Sequence, residues 1–196
     1  MKKIFTAFLL TTMLLISSVA FAAYNETVPE DSEISSVKRL AIAFPRHYKT
    51  LDTEPTEAEL ASIMANASRV ARCYVISYDE IAENIKKDTG VEIKELDYNE
   101  AEKVFESNVG KYADAYVIVT TATNSKKVQY FFDVYQPDET SVYSLTTQSG
   151  DISRDLKGYT KACEDFYKKF DAAAEQKLKD DEKKAKDEEK KARKKK

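Results

Sequence analysis

The chain has 196 residues, with 31 Lys or Arg against 34 Asp or Glu and a formal charge of -3. One His and two Cys are too few for a multi-His metal site or a Cys₄ zinc cluster, and four Gly leave little material for a glycine-rich phosphate loop. The length accommodates one domain with appendages.

In chain order, Met1-Lys2-Lys3 is a short basic segment, and Ile4 to Val19 is an uncharged run dominated by apolar and small residues. Ala20-Phe21-Ala22 then places small residues where a signal peptidase reads them, so residues 1–22 are expected to be a signal peptide cleaved before Ala23. The run falls short of a membrane span of roughly 20 residues, which disfavours an uncleaved anchor. No Cys lies near the cut to carry a lipid. The mature protein is therefore expected to be periplasmic or secreted. In such a compartment Cys73 and Cys163 have two readings. A disulfide between them would close a long loop and contribute about 4 kcal/mol. Alternatively, each is a buried thiol acting as a small hydrophobe.

Residues 23–36 are polar and short of core formers and are expected to be a flexible leader. The segment 37–44 reads as a strand ended by Pro45. Thr56-Glu57-Ala58-Glu59 is a capping box opening a helix with Leu60, Ile63, Met64, Ala67 and Ala71 on one face. Cys73 to Ile76 reads as a short buried strand. Ser77-Tyr78-Asp79-Glu80 offers a second capping box for a helix that turns Ile81 and Ile85 inward and stops at Gly90. Asn99 is the expected cap of a third helix carrying Ala101, Val104, Phe105 and Val109. The segments 115–123, 127–136 and 141–148 are rich in β-branched and aromatic residues. With turns at Asn124-Ser125 and 137–140, they form an antiparallel meander. A final helix presents Tyr159, Ala162, Cys163, Phe166 and Phe170 inward and runs into the tail.

The fold class is accordingly α/β of the mixed α+β kind, in the order β-α-β-α-α-β-β-β-α. It is a layered domain over 37–170 with a mixed sheet, followed by a charged helical or disordered tail over 171–196. The charge divides along these boundaries. Residues 23–170 hold 18 basic and 26 acidic residues, a net -8, whereas 171–196 hold 11 basic and 8 acidic, a net +3. An acidic body argues against nucleic-acid binding, which needs basic surface to displace counterions. In the tail, Asp180–Lys184, Glu182–Lys186, Asp187–Lys191 and Glu189–Arg193 are acid-before-base pairs that support a helix. Leu178, Ala185 and Ala192 recur every seven residues, but charged residues fill the second seam, so a solvated helix is expected rather than a coiled coil. The final Lys/Arg run either solubilises the end or touches an anionic envelope polymer or lipid headgroups.

Three stretches resemble the exported bacterial domains typified by the TolB amino-terminal domain. They are the opening strand Leu40-Ala41-Ile42-Ala43-Phe44-Pro45, the strand-to-helix step from Tyr74 to Ile81, and the run Tyr112-Ala113-Asp114-Ala115-Tyr116-Val117-Ile118-Val119 before the meander. The curli secretion component CsgG and the lipoprotein activators of penicillin-binding proteins share that broad architecture. Tyr112 departs from the pattern, standing where those domains have Gly. The resemblance implies a non-catalytic envelope binding or assembly module and transfers no active site; without a lipid-bearing Cys, it does not extend to a CsgG-like pore.

Two binding candidates arise from the residues themselves. Arg46, His47 and Tyr48 follow the first strand, where open α/β sheets place ligand loops; Arg46 suits an anion and His47 titrates near neutrality, unless this is an ordinary exposed loop. In the meander, alternation sends Val128, Tyr130, Phe132 and Val134 one way and Gln129, Phe131, Asp133 and Tyr135 the other. The first set reads as core. The second mixes aromatic and polar groups as protein-binding faces do, unless a helix or the leader covers it. Asp79, Glu80, Glu83 and Glu102 sit at helical positions that suit capping or solvated faces. A Ser or Cys nucleophile would have only His47 to activate it. No cofactor or metal is implied. The expectation is a non-enzymatic module acting on an envelope protein or anionic polymer, with a small enzyme or ligand sensor at Arg46-His47, or a structural spacer built on the charged helix, as alternatives.

Overall fold

The computed structural model describes residues 24–51, 54–123, 127–148 and 155–194. The expected signal peptide and the Asn124-Ser125 turn lie outside these residues. Seven strands form one mixed sheet: β1 (Tyr24–Thr27), β2 (Arg39–Ile42), β3 (Arg46–Tyr48), β4 (Tyr74–Ile76), β5 (Ala115–Thr123), β6 (Val128–Tyr135) and β7 (Ser141–Gln148). Their order is β1-β7-β6-β5-β2-β4, with β3 continuing beside β5 beyond β2. Four α-helices accompany them: α1 (Glu57–Ala67), α2 (Tyr78–Thr89), α3 (Tyr98–Val109) and α4 (Leu156–Lys194). This is the expected layered α/β order with two strands added.

The helices divide between the two faces of the sheet. On one, Leu60, Ile63 and Met64 of α1 and Tyr159, Phe166 and Phe170 of α4 pack on Val119, Tyr130, Phe132 and Tyr143. The rings of Phe132 and Phe166 stack with centroids 4.6 Å apart. On the other, Ile81 and Ile85 of α2 and Phe105 and Val109 of α3 pack on Ala41, Ile76 and Tyr116. The α2–α3 layer covers the parallel half of the sheet, β2, β4 and the start of β5, and reaches Tyr135 at one end of β6. Beyond Tyr135, the same face of β6, β7 and β1 has no described helix on it.

Local chemistry explains the helix ends. Thr56 and Glu59 form the full reciprocal capping box. At α2 only half of the expected box exists: Ser77 accepts from the Glu80 amide at 3.2 Å, while the Glu80 carboxylate accepts from the Tyr74 hydroxyl. Gly90 ends α2 at φ 76°, a left-handed conformation that suits Gly. The cap of α3 is Asp97, not Asn99, because its carboxylate reaches the Glu100 amide at 3.0 Å and starts the helix earlier. Gly110, just past α3, lies against Pro137: a Cβ there would come within 2.8 Å of the ring carbon, so Gly allows α3 to abut the β6–β7 turn.

Three expectations need correction. The expected flexible leader is ordered: Tyr24–Thr27 pairs antiparallel with β7, Ser32 donates to the Val142 carbonyl at 2.7 Å, and Ile34 is fully buried. Backbone pairing to an open sheet edge and one apolar plug fix a segment whose composition is polar. The Arg46-His47-Tyr48 loop is strand β3, which takes up the hydrogen bonds of β5 beyond Ile42. The expected boundary at Phe170 is crossed by one continuous helix that stays docked further on. There Ala173 and Ala174 pack on the core, Asp171 accepts from the Arg72 amide, and Lys177 donates to the Glu30 carbonyl at 2.6 Å. Beyond this, Leu178 is half exposed and α4 continues to Lys194 with the expected Glu182–Lys186 pair.

Cys73 and Cys163 are free thiols in the structure, Cys163 buried and Cys73 half-buried. Burial pushes the Cys73 thiol up to about 11 and the Cys163 thiol up to about 12, which makes both poor thiolates at neutral pH.

Candidate functional site

Strand pleating decides where the expected site residues go. In β3, Arg46 is paired with Thr120, His47 with Thr121 and Tyr48 with Ala122. His47 therefore points to the α1–α4 side, while Arg46 and Tyr48 share the opposite face with Phe131, Asp133 and Tyr135 of β6. Five of the six candidates lie on one side of the sheet, and His47 is withdrawn from them.

His47 is buried in a polar knot. Its Nδ1 is hydrogen-bonded to Thr121 Oγ1, and its Nε2 faces the Glu54 carboxylate at 3.5 Å. That carboxylate also accepts from Thr123 Oγ1 at 2.8 Å and from the Thr50 amide at 3.3 Å. The His47 ring stands edge-on to Tyr159, 5.9 Å between centroids. Burial pulls the imidazole below its ordinary range, against the opposing field of Glu54. Hydroxyl, imidazole and carboxylate are thus in sequence, but Thr121 is wholly buried, and the knot joins the segment after β3 to the end of β5. This corrects the expectation of an exposed, titrating histidine. Thr121 was discernible as the fourth inward position of β5 after 115, 117 and 119; Glu54 carried no sequence signal.

Arg46 is engaged on the other face. Its Nε donates to the Tyr98 hydroxyl at 2.7 Å, its terminal nitrogen donates to Glu102, and the guanidinium lies 5.4 Å from the Tyr98 ring centre. Glu102, expected as a solvated helix residue, neutralises the group that suited an anion. Tyr48 is 64% exposed.

The open part of the face consists of cross-strand rows. Asn25, Thr146, Phe131 and Thr120 form one row, and Thr27, Ser144, Asp133 and Ile118 the next. Tyr135 follows beside Tyr116, with ring centroids 5.8 Å apart. The β6 members Gln129, Phe131, Asp133 and Tyr135 are half-buried while the alternate residues Val128, Tyr130, Phe132 and Val134 are fully buried. Burial raises the Asp133 carboxyl above its usual range. At the Tyr135 end the face meets α3 and the β6–β7 turn. Burial first, then the charges of Glu102 and Glu139, raise the Glu106 carboxyl there. Among the described residues no helix lies over the middle of this face.

A second concavity of about 640 Å³ lies beyond the carboxyl ends of β2 and β4, between α1 and the α2–α3 layer. Ala58, Ala61 and Ala65 form one wall and Phe44, Tyr78 and Tyr98 the other. Its charged groups are already paired, Asp79 with Lys94 at 2.6 Å. Among the described residues no group of three or more His, Cys, Asp or Glu is arranged to hold a metal ion, and no helix is long and apolar enough to cross a membrane.

No family model and no curated protein matches the chain. The expected membership of the TolB-like group is therefore without a family match. Among solved structures the chain is similar to the LpoB C-terminal domain from Escherichia coli, at 13% identity and a TM-score of 0.44, over 58% of this chain and 84% of that one. It is similar to lipoprotein GNA1162 from Neisseria meningitidis at 13% identity and 0.41, over 60% and 84%. A PelC dodecamer from Paraburkholderia phytofirmans matches at 13% and 0.40, over 72% and 89%. These identities are too low to carry a function across.

Proposed function

We propose that the protein is an exported, non-catalytic binding module that docks another component of the bacterial envelope on the open face of β6, β7 and β1. The signal-like segment at residues 1–22 supports the location. The observation that supports the docking reading is the antiparallel half of the sheet, over which no described helix lies. It sets Phe131, Asp133 and Tyr135 among Thr120, Ser144 and Thr146. Aromatic groups interspersed with hydroxyls and one carboxylate suit a protein surface better than a small-molecule pocket. The enzyme or sensor alternative loses support, because Arg46 and His47 lie on opposite faces and each is engaged.

The projecting part of α4 favours a second, compatible role. From Leu178 to Lys194 it extends about 25 Å at 1.5 Å per residue and ends in a Lys/Arg-rich stretch. There it suits an anionic envelope polymer or lipid surface. Photo-crosslinkers placed singly at Thr146 and at Lys186 in the full chain, expressed in intact envelopes, separate the roles. Discrete protein adducts from Thr146 support the module, whereas adducts from Lys186 alone would leave a spacer.

A further inference from the structure

The open face carries one carboxylate with no cation paired to it among the described residues. Asp133 lies between Phe131 and Tyr135, its i±2 neighbours on the same side of β6, each about 7 Å along the strand. Its cross-strand neighbours are Ile118 and Ser144, neither of which can neutralise it. No ion pair among the described residues engages its carboxylate, and burial raises its pKa. Natural folds seldom half-bury a charge without a partner, because desolvation disfavours it.

The surroundings extend this negative character. Past Tyr135, Glu102, Glu106 and Glu139 are close enough for the fields of Glu102 and Glu139 to raise Glu106. Arg46 lies beside them, its guanidinium committed to Tyr98 and Glu102. The close packing of Gly110 on Pro137 brings the Glu139 turn to this end of the face. Two aromatic rings flanking a carboxylate on a negative surface match a Lys or Arg side chain, through a charge-assisted hydrogen bond and cation–π contact. Hydroxyls of Thr120, Ser144 and Thr146 suit the polar backbone of the segment that would present it.

We propose that this face receives a Lys- or Arg-bearing segment of another protein, with Asp133 as the anchor between Phe131 and Tyr135; this rests on the docking reading and names the partner's chemistry. Complementarity of charge selects this occupant over an acidic or purely apolar one.

The probe is an acetylated, amidated heptapeptide alternating Thr with Lys, titrated into the ¹⁵N-labelled mature full chain, beside matched norleucine and Glu peptides. Amide shifts are expected at residues 131–135 and 146 with the Lys peptide, weakening as salt rises. Binding should be at least about tenfold weaker for the norleucine peptide and for the Lys peptide on Asp133→Asn. The variant's own spectrum reports its fold. Equal shifts with norleucine would overturn the cationic partner while leaving the docking face standing. No shift on the face with any peptide would also overturn it, and the crosslink at Thr146 then judges the docking reading separately. Self-association of the chain that Asp133→Asn abolishes would make a second copy the occupant and overturn the proposal.

Discussion

Strand β6 presents two surfaces from one run of eight residues. Val128, Tyr130, Phe132 and Val134 are sealed beneath α1 and α4, whereas Gln129, Phe131, Asp133 and Tyr135 keep part of their surface in water. Phe132 stacks on Phe166; Phe131, one residue away, has Thr120 and Thr146 as its cross-strand neighbours. Aromatic content alone thus does not separate core from interface. What separates them is whether a helix follows, and α4 follows on one side only. The same pleat divides β3, sending the chain's single His into the sealed side and Arg46 to the open one.

The contrast is broken most severely from the sealed side. Phe166→Ala removes the ring that stacks on Phe132 and contacts Tyr143, Tyr167 and Phe170, and should cost about 3–5 kcal/mol in urea unfolding. A Phe131→Ala loss of similar size would mean that the open face is core. Next, Glu54→Ala strips the buried knot of the acceptor for Thr123 and Thr50 and should cost about 1–3 kcal/mol. The knot also sets a pH dependence. His47 has a lowered pKa when folded, so below its ordinary value the unfolded chain binds more protons. Stability contributed by the neutral ring is present above about pH 6.5 and declines as pH falls from there through the folded pKa. His47→Gln should flatten that decline in denaturation curves taken from pH 7 to 5.

On the open side the effect is smaller and of opposite sign. Asp133 has a raised pKa, so at neutral pH its charge opposes folding, and the penalty is relieved as pH falls through the folded value towards the unfolded one. Asp133→Asn should stabilise by about 0.5 kcal/mol at pH 7, the scale of a half-solvated group, with the gain shrinking in acid. Alkylation gives the least perturbing check on the sealed side. Without reductant, unfolded protein should take up label at both Cys73 and Cys163, and folded protein should react slowly at Cys163, which is fully buried.

The layered order and the meander were legible because their cores alternate or recur with clean periods: the inward set of β6, the α1 stripe and the aromatic stripe of α4 were all readable. Thr56 and Gly90 marked helix ends by local chemistry, which needs no tertiary information. The missed parts depend on distant pairing. Residues 24–27 are a strand because β7 has a free edge, and 46–48 because β5 outruns β2; neither segment has a strand's alternation of its own. The same holds at the site. Phe131, Asp133 and Tyr135 followed from alternation, but their company with Arg46, and Arg46's capture by Tyr98 and Glu102, required the fold. So did the absence of a described helix over β6 and β7.

On this reading the open face serves recognition and the sealed face stability. Phe131→Ser tests it most directly, with unfolding free energy and photo-crosslink yield from Thr146 measured on the same variant. A stability change within about 1 kcal/mol is expected together with loss of most of the adduct. An unchanged adduct, or a collapse in stability like that expected for Phe166→Ala, would contradict it.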